Sequence, residues 1–183
     1  MTATTDHARA RRARALAVML GVAIAVLGAD AASKTLVLER LPGHPPVRLL
    51  GGLITLSLIR NAGAAFGVGP SYTVIIALSA CGVTALIIRT AARLRSLAWS
   101  VALGLLLGGA AGNLADRLLR SPGPMRGRVV DWINLQHFPW TFNLADSAIV
   151  GAAALMALLV LRHIPIDGAP ARGSARPLPG QTP

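Results

Sequence analysis

Of the 183 residues only seven are Asp or Glu, and four of these, Asp30, Asp116, Asp131 and Asp146, fall at or near ends of long apolar runs. Amides accompany them. Asn113, Asp116 and Arg117 are spaced i, i+3 and i+4, which places them on one face of a helix, and Asn143 and Asp146 repeat the i, i+3 step. Asp131 lies within Val129-Val130-Asp131-Trp132-Ile133, an apolar strip suited to a membrane surface with its Trp at headgroup level. Asn61 precedes Gly63-Ala64-Ala65-Phe66-Gly67, small residues that let a backbone approach a ligand closely. An ionisable residue at membrane depth costs about 2.5–3.5 kcal/mol and usually faces a bundle interior or a wet cavity. Four at one level indicate one site.

Two carboxylates in a small site do not ionise independently, because like charges a few ångströms apart repel and one partner keeps its proton. The ionised member can take a proton from water while the protonated member donates to a carbonyl oxygen, which hydrolyses an amide without metal or covalent intermediate. Other chemistries find less support. His7, His44, His137 and His163 are scattered, with no His-Glu-x-x-His pattern for zinc. Ser33 and Lys34 are adjacent, so a helix points them apart and a Ser/Lys nucleophile pair is disfavoured. Phosphoalcohol transfer would need acids at short helical spacing, whereas Asp116, Asp131 and Asp146 belong to different elements.

Structural explanations compete for the same residues. Asp30 and Lys34 could form a helix-end pair, and Asp116 could pair with its neighbour Arg117 to close a bundle. Gly104, Gly108 and Gly112, four residues apart, read as a close-packing helix face. Asn143 could cap a helix by accepting from the N–H of Asp146, an anion favourably placed in the first turn.

The elements that must position these groups are membrane spans. Hydrophobic residues make up 54% of the chain and charged residues 14%, well below the roughly 25% charged residues of soluble domains. The net charge of +11 comes from bases clustered between apolar runs, which points to a membrane rather than to nucleic acid. Four runs approach the roughly 20 residues that a helix needs to cross a bilayer, at about 16–38, 72–88, 97–115 and 144–161. None alternates with period two, so the expectation is helices rather than a barrel. The single cysteine, Cys81, lies in an apolar run and reads as a buried small side chain.

Arg9, Arg11, Arg12 and Arg14 precede the first span, and Arg89, Arg93 and Arg95 occupy the short turn between the second and third. Both read as cytoplasmic, which also puts Arg162, Arg172 and Arg176 inside. The expected organisation is a basic arm over 1–15, a four-helix membrane domain over 16–161 with outer loops 39–70 and 117–142, and a disordered, dispensable cytoplasmic tail over 162–183. In the first outer loop, the Leu- and Ile-rich stretch from Val47 to Ile59 could form short strands. A rival reading makes the first segment a cleavable signal peptide, with Ala29-Asp30-Ala31 at the cleavage point and Asp30 discarded.

Five segments together resemble the lipoprotein signal peptidases (signal peptidase II), bacterial membrane aspartyl proteases. They are Asp30-Ala-Ala-Ser-Lys34, Asn61-Ala-Gly-Ala-Ala-Phe-Gly67, Gly108-Gly-Ala-Ala-Gly-Asn-Leu-Ala-Asp-Arg117, Val129-Val-Asp-Trp-Ile133 and Phe142-Asn-Leu-Ala-Asp-Ser147, in the family's order. Trp132 stands where Phe is more usual, and the stretch between Asp131 and Asp146 is short.

The resemblance implies an all-α membrane fold of four transmembrane helices with a small extracytoplasmic β-rich cradle made from the first outer loop. It implies a monomer in the bacterial plasma membrane with an outward-facing site. The enzyme would cut the signal peptide from prolipoproteins immediately before a diacylglyceryl-modified cysteine, need no cofactor or metal, and be blocked by globomycin. Its partners would be these substrates and membrane lipids, not nucleic acid. By motif position Asp131 and Asp146 would be the catalytic pair; Asn61, Gly63, Asn113, Arg117 and Asn143 would line the site; and Asp30, Lys34 and Asp116 would support it. Two rivals are a small transporter, which would spread acids through the membrane depth, and a structural assembly protein, which gives amides and acids no reason to converge.

Overall fold

The computed structural model describes residues 2–63 and 73–168. Most of the small-residue run, from Ala64 to Gly67, and the tail from residue 169 lie outside them. Four helices, α1 (Thr2–Arg40), α2 (Thr73–Ala91), α3 (Leu97–Leu119) and α4 (Leu144–Leu161), are each long and apolar enough to cross a membrane. Four strands, β1 (Val47–Leu49), β2 (Ile54–Asn61), β3 (Val129–Leu135) and β4 (Thr141–Phe142), form one antiparallel sheet in the order β1-β2-β3-β4.

The helices run past the expected boundaries where the sequence keeps favouring helix. α1 takes in the basic arm, because Ala and Arg are strong helix formers and no Gly or Pro interrupts residues 2–20. α3 continues past the expected end at 115 to Leu119, so Asn113, Asp116 and Arg117 stand on one continuous helix, as their spacing suggested. The sheet departs further from expectation. Half of its strands come from the second loop, so the β-rich layer is built by both loops and not by the first alone. The strip around Asp131 is strand β3, and the Trp132 indole N–H is buried without a partner among the described residues, which is not the headgroup anchor the sequence suggested. A strand pairs its backbone groups with β2 and β4, an advantage that an isolated surface strip lacks.

Helix α3 is the centre of the bundle, and its glycines set the distances. An ideal Cβ on Gly104 would lie 2.6 Å from the carbonyl oxygen of Met19, and one on Gly108 2.7 Å from that of Ala23, so α1 packs backbone to backbone along this stripe. A Cβ on Gly109 would lie 2.5 Å from the carbonyl oxygen of Ala145, which brings in α4 in the same way. At the end away from the sheet, Ala15, Met19, Ile87, Ala91, Leu94 and Leu103 form a buried apolar cluster. The segment after α4 docks there. Ile166 packs against the cluster, its carbonyl accepts from the N–H groups of Arg95 and Ser96 at 3.0 and 3.1 Å, and the Trp99 indole donates to the Ile164 carbonyl at 2.7 Å. Residues 162–168 are therefore anchored, whereas composition had assigned them to a disordered tail. Cys81 is exposed on α2 rather than buried.

The β2–β3 pairing contains one irregularity that matters for the site. Leu56 pairs with Ile133, but Ile59 pairs with Asp131, so Ser57 and Leu58 together oppose Trp132. Such a bulge shifts which side chains share a face. Beyond it, Asn61 lies on the same side of the sheet as Asp131, and Arg60 and Val130 lie on the other.

Candidate active site

Three buried charges form the base of the site. Lys34 Nζ lies 2.7 Å from Asp30 Oδ2, one turn earlier on α1, and 2.9 Å from Asp116 Oδ2 on α3. Asp30 and Lys34 are each 1% exposed, so each charge needs the others to offset the loss of water. The two carboxylates also reach outward. Asp30 Oδ1 accepts from the backbone N–H of Ala145 in the first turn of α4 at 3.0 Å, and Asp116 Oδ2 accepts from the Val130 N–H of β3 at 3.1 Å. One cluster thus holds the two elements that carry Asp146 and Asp131.

The expected Asp116–Arg117 pair does not form. Neighbouring helix residues point about 100° apart, and Asp116 instead pairs with Arg120, one turn on. The i, i+4 spacing of Asp116 and Arg120 is the sequence signal for that pair. Arg117 is buried, in the field of Asp131, Asp146 and Asp116, and its Nη1 has no hydrogen-bond partner among the described residues.

Above this base, amides connect the two remaining aspartates. Asn113 Oδ1 accepts from Lys34 Nζ at 3.2 Å and from Asn143 Nδ2 at 3.1 Å, which turns its own Nδ2 onto Asp146 Oδ1 at 2.7 Å. Asn143 Nδ2 also donates to Asp131 Oδ1 at 2.7 Å, and Asn61 Nδ2 donates to Asp131 Oδ2 at 2.9 Å. Asn61 is oriented in turn by the Gly63 N–H, which donates to its Oδ1 at 3.0 Å. The capping reading of Asn143 also holds. Its Oδ1 accepts from the Asp146 N–H at 2.9 Å while Asp146 Oδ2 accepts from the Asn143 N–H at 3.2 Å, a capping box. Asn143 therefore starts α4 and ties β3 to it in one residue.

All ten residues singled out from the sequence meet in this one network or its immediate field. Asp131 is 2% exposed, and burial pushes its carboxyl up to about 6. The hydrogen bond from Asn61 opposes that rise, and the charge of Asp146 adds to it. The arrangement supplies one carboxyl able to hold a proton near neutral pH and a second close enough to influence it. Among the described residues no group of three or more His, Cys, Asp or Glu could hold a metal ion.

The fold and this cluster define a multi-pass membrane protein with an amide-braced pair of carboxylates at one end of its helices. Comparison with known proteins makes this specific. Residues 22–162 match the family model for signal peptidase (SPase) II, and the chain belongs to that family of proteases. It is 47% identical over 160 residues to the lipoprotein signal peptidase of Streptomyces coelicolor, covering 87% of this chain and 78% of that one. To the Mycobacterium tuberculosis lipoprotein signal peptidase it is 43% identical over 154 residues, covering 84% and 76%. A solved bacterial membrane enzyme structure shares the fold, with a TM-score of 0.70 at 23% identity over 80% of this chain and 94% of that one.

Proposed function

We propose that the protein is an aspartyl endopeptidase that removes the signal peptide from diacylglyceryl-modified prolipoproteins, cutting immediately before the lipidated cysteine. The observation that carries the reading is the joining of Asp131 and Asp146, from β3 and α4, through Asn61, Asn113 and Asn143. Family membership supports the substrate class.

In this reading Asp146, which accepts N–H bonds from Asn113 and from the Asn143 backbone in the first turn of α4, takes the ionised role. It removes a proton from water as the water oxygen bonds to the scissile carbonyl carbon. Asp131, its carboxyl raised to about 6, donates its proton to the carbonyl oxygen. The resulting gem-diol collapses as one hydroxyl returns a proton to Asp131, the C–N bond breaks, and the leaving amine takes the proton held by Asp146. Arg117, buried beside the pair with an N–H that no described residue accepts, is suited to hold a substrate carbonyl. Asp30, Lys34 and Asp116 fix the geometry.

The substrate chemistry fits a site at the helix ends. A diacylglyceryl group keeps the scissile bond near the membrane surface, and two acyl chains anchor it firmly. The proposal includes cytoplasmic N- and C-termini, an active site at the outer face of a bacterial plasma membrane, a monomeric enzyme and inhibition by globomycin. Its test is cleavage by purified protein in detergent, using a diacylglyceryl-modified prolipoprotein and its unmodified form, with wild type and Asp146→Asn. Lipid-dependent cutting that disappears in the variant is expected. A folded wild type that cuts neither form, or an Asp146→Asn protein that cuts normally, would overturn the proposal.

A further inference from the structure

On the face of β2–β3 away from the carboxylates, the ends of α1 and α3 and the loop from residue 120 to 128 enclose a cavity of about 480 Å³. Arg60, Arg120 and Arg128 line it together with Ser121, and Leu38 and Leu119 give it an apolar margin. Of these three like charges only Arg120 has a matching acid. Residues 120–128 include three arginines and no Asp or Glu, and among the described residues neither Arg60 nor Arg128 takes part in an ion pair. Arg120 pairs with Asp116, whose other oxygen is already engaged by Lys34 and the Val130 N–H. Glu39, next to Leu38, is exposed and likewise makes no ion pair among the described residues.

With Arg120 held by Asp116, the guanidinium groups of Arg60 and Arg128 remain to repel one another across the cavity unless an anion joins them, and planar guanidinium forks match phosphate oxygens. The margin says which phosphate. Leu119 is 83% exposed and Leu36 53%, on helices long and apolar enough to span a bilayer, so apolar surface leads directly from the cavity along the spans. We infer that this cavity binds the phosphate of an anionic phospholipid, with the acyl chains lying along the exposed leucines of α1 and α3. The inference needs only that this end of the bundle meets a membrane surface; it does not depend on the proposed peptidase chemistry. Occupancy would nonetheless be felt there, because Asp116 joins Arg120 to the Val130 N–H, next to Asp131.

The test is native mass spectrometry of the full chain released from detergent micelles, titrated with phosphatidylglycerol, phosphatidylcholine of the same acyl chains, and inorganic phosphate. Phosphatidylglycerol should bind in preference to phosphatidylcholine, and millimolar phosphate should not displace it. A basic side chain near an anionic lipid contributes about fivefold in affinity, so Arg60→Gln/Arg128→Gln should weaken phosphatidylglycerol binding by about twenty-fivefold and leave phosphatidylcholine unchanged. Arg128→Gln alone, in an exposed loop, should give about fivefold and serves if the double variant fails to fold. Arg9→Gln/Arg11→Gln, at the other end of α1, should have no effect. Equal binding of the two lipids, displacement by inorganic phosphate, unchanged binding after removal of Arg60 and Arg128, or an equal loss after removal of Arg9 and Arg11 would each overturn the assignment.

Discussion

Replacing Asp116 by Asn should separate support of the site from catalysis within it. Asp116 Oδ2 meets Lys34 Nζ at 2.9 Å and the Val130 N–H at 3.1 Å, while Oδ1 meets Arg120 Nε. Every one of these partners is a donor. An amide has one acceptor oxygen and one NH2, so in either orientation it turns donor hydrogens toward a donor. Breaking a buried ion pair outright costs about 3–5 kcal/mol. The cost here is smaller, because Lys34 keeps Asp30 and Arg120 is partly exposed and can turn to solvent, leaving about 2–3 kcal/mol. For a chain of this size that corresponds to a melting temperature lower by roughly 5–10 °C. The folded fraction should retain cleavage within about tenfold to a hundredfold of wild type, since β3 loses one anchor but Asp131 keeps its bonds to Asn61 and Asn143. The assay pairs a thermal melt in detergent with single-turnover cleavage of a lipidated prolipoprotein. An Asp116→Asn protein that melts like wild type yet is as inactive as Asp146→Asn would refute the division into supporting and catalytic acids.

Three further outcomes follow from the structure. The dependence of kcat/KM on pH should fall on its alkaline side with an apparent pKa of about 6, as Asp131 loses the proton it donates. The Asn61 hydrogen bond favours the ionised form, so Asn61→Ala should move that limb upward by about one pH unit; an unmoved or lowered limb would contradict the assignment. Gly109→Val should force the first turn of α4 away from α3, given the 2.5 Å that even a Cβ would leave to the Ala145 carbonyl. The expected cost is about 1–3 kcal/mol, with at least tenfold slower cleavage, whereas Gly82→Ala, at an open position on α2, should be neutral in both measurements.

The sequence by itself determined the spans and marked the residues that the structure brings together. Apolar runs near the length of a bilayer leave a chain little choice but helix, and fixed helical spacing is enough to place Asn113 with Asp116 and Asn143 with Asp146. The four-residue glycine stripe announced close packing for the same reason, because a missing side chain is itself a packing instruction. The tertiary structure decided the pairings. Whether Asp116 meets Arg117, Arg120 or Lys34 depends on the direction of each side chain and on how closely the Gly112 stretch lets α1 approach, and neither quantity is local. The second loop gave no alternating pattern strong enough to show that β3 and β4 complete a sheet begun in the first loop, since strand pairing joins segments about seventy residues apart. The bulge at Ser57 and Leu58 decided most. Without that extra residue the register would place Arg60 on the same face as Asp131; with it, Asn61 is there, and an amide donor rather than a guanidinium meets the carboxyl.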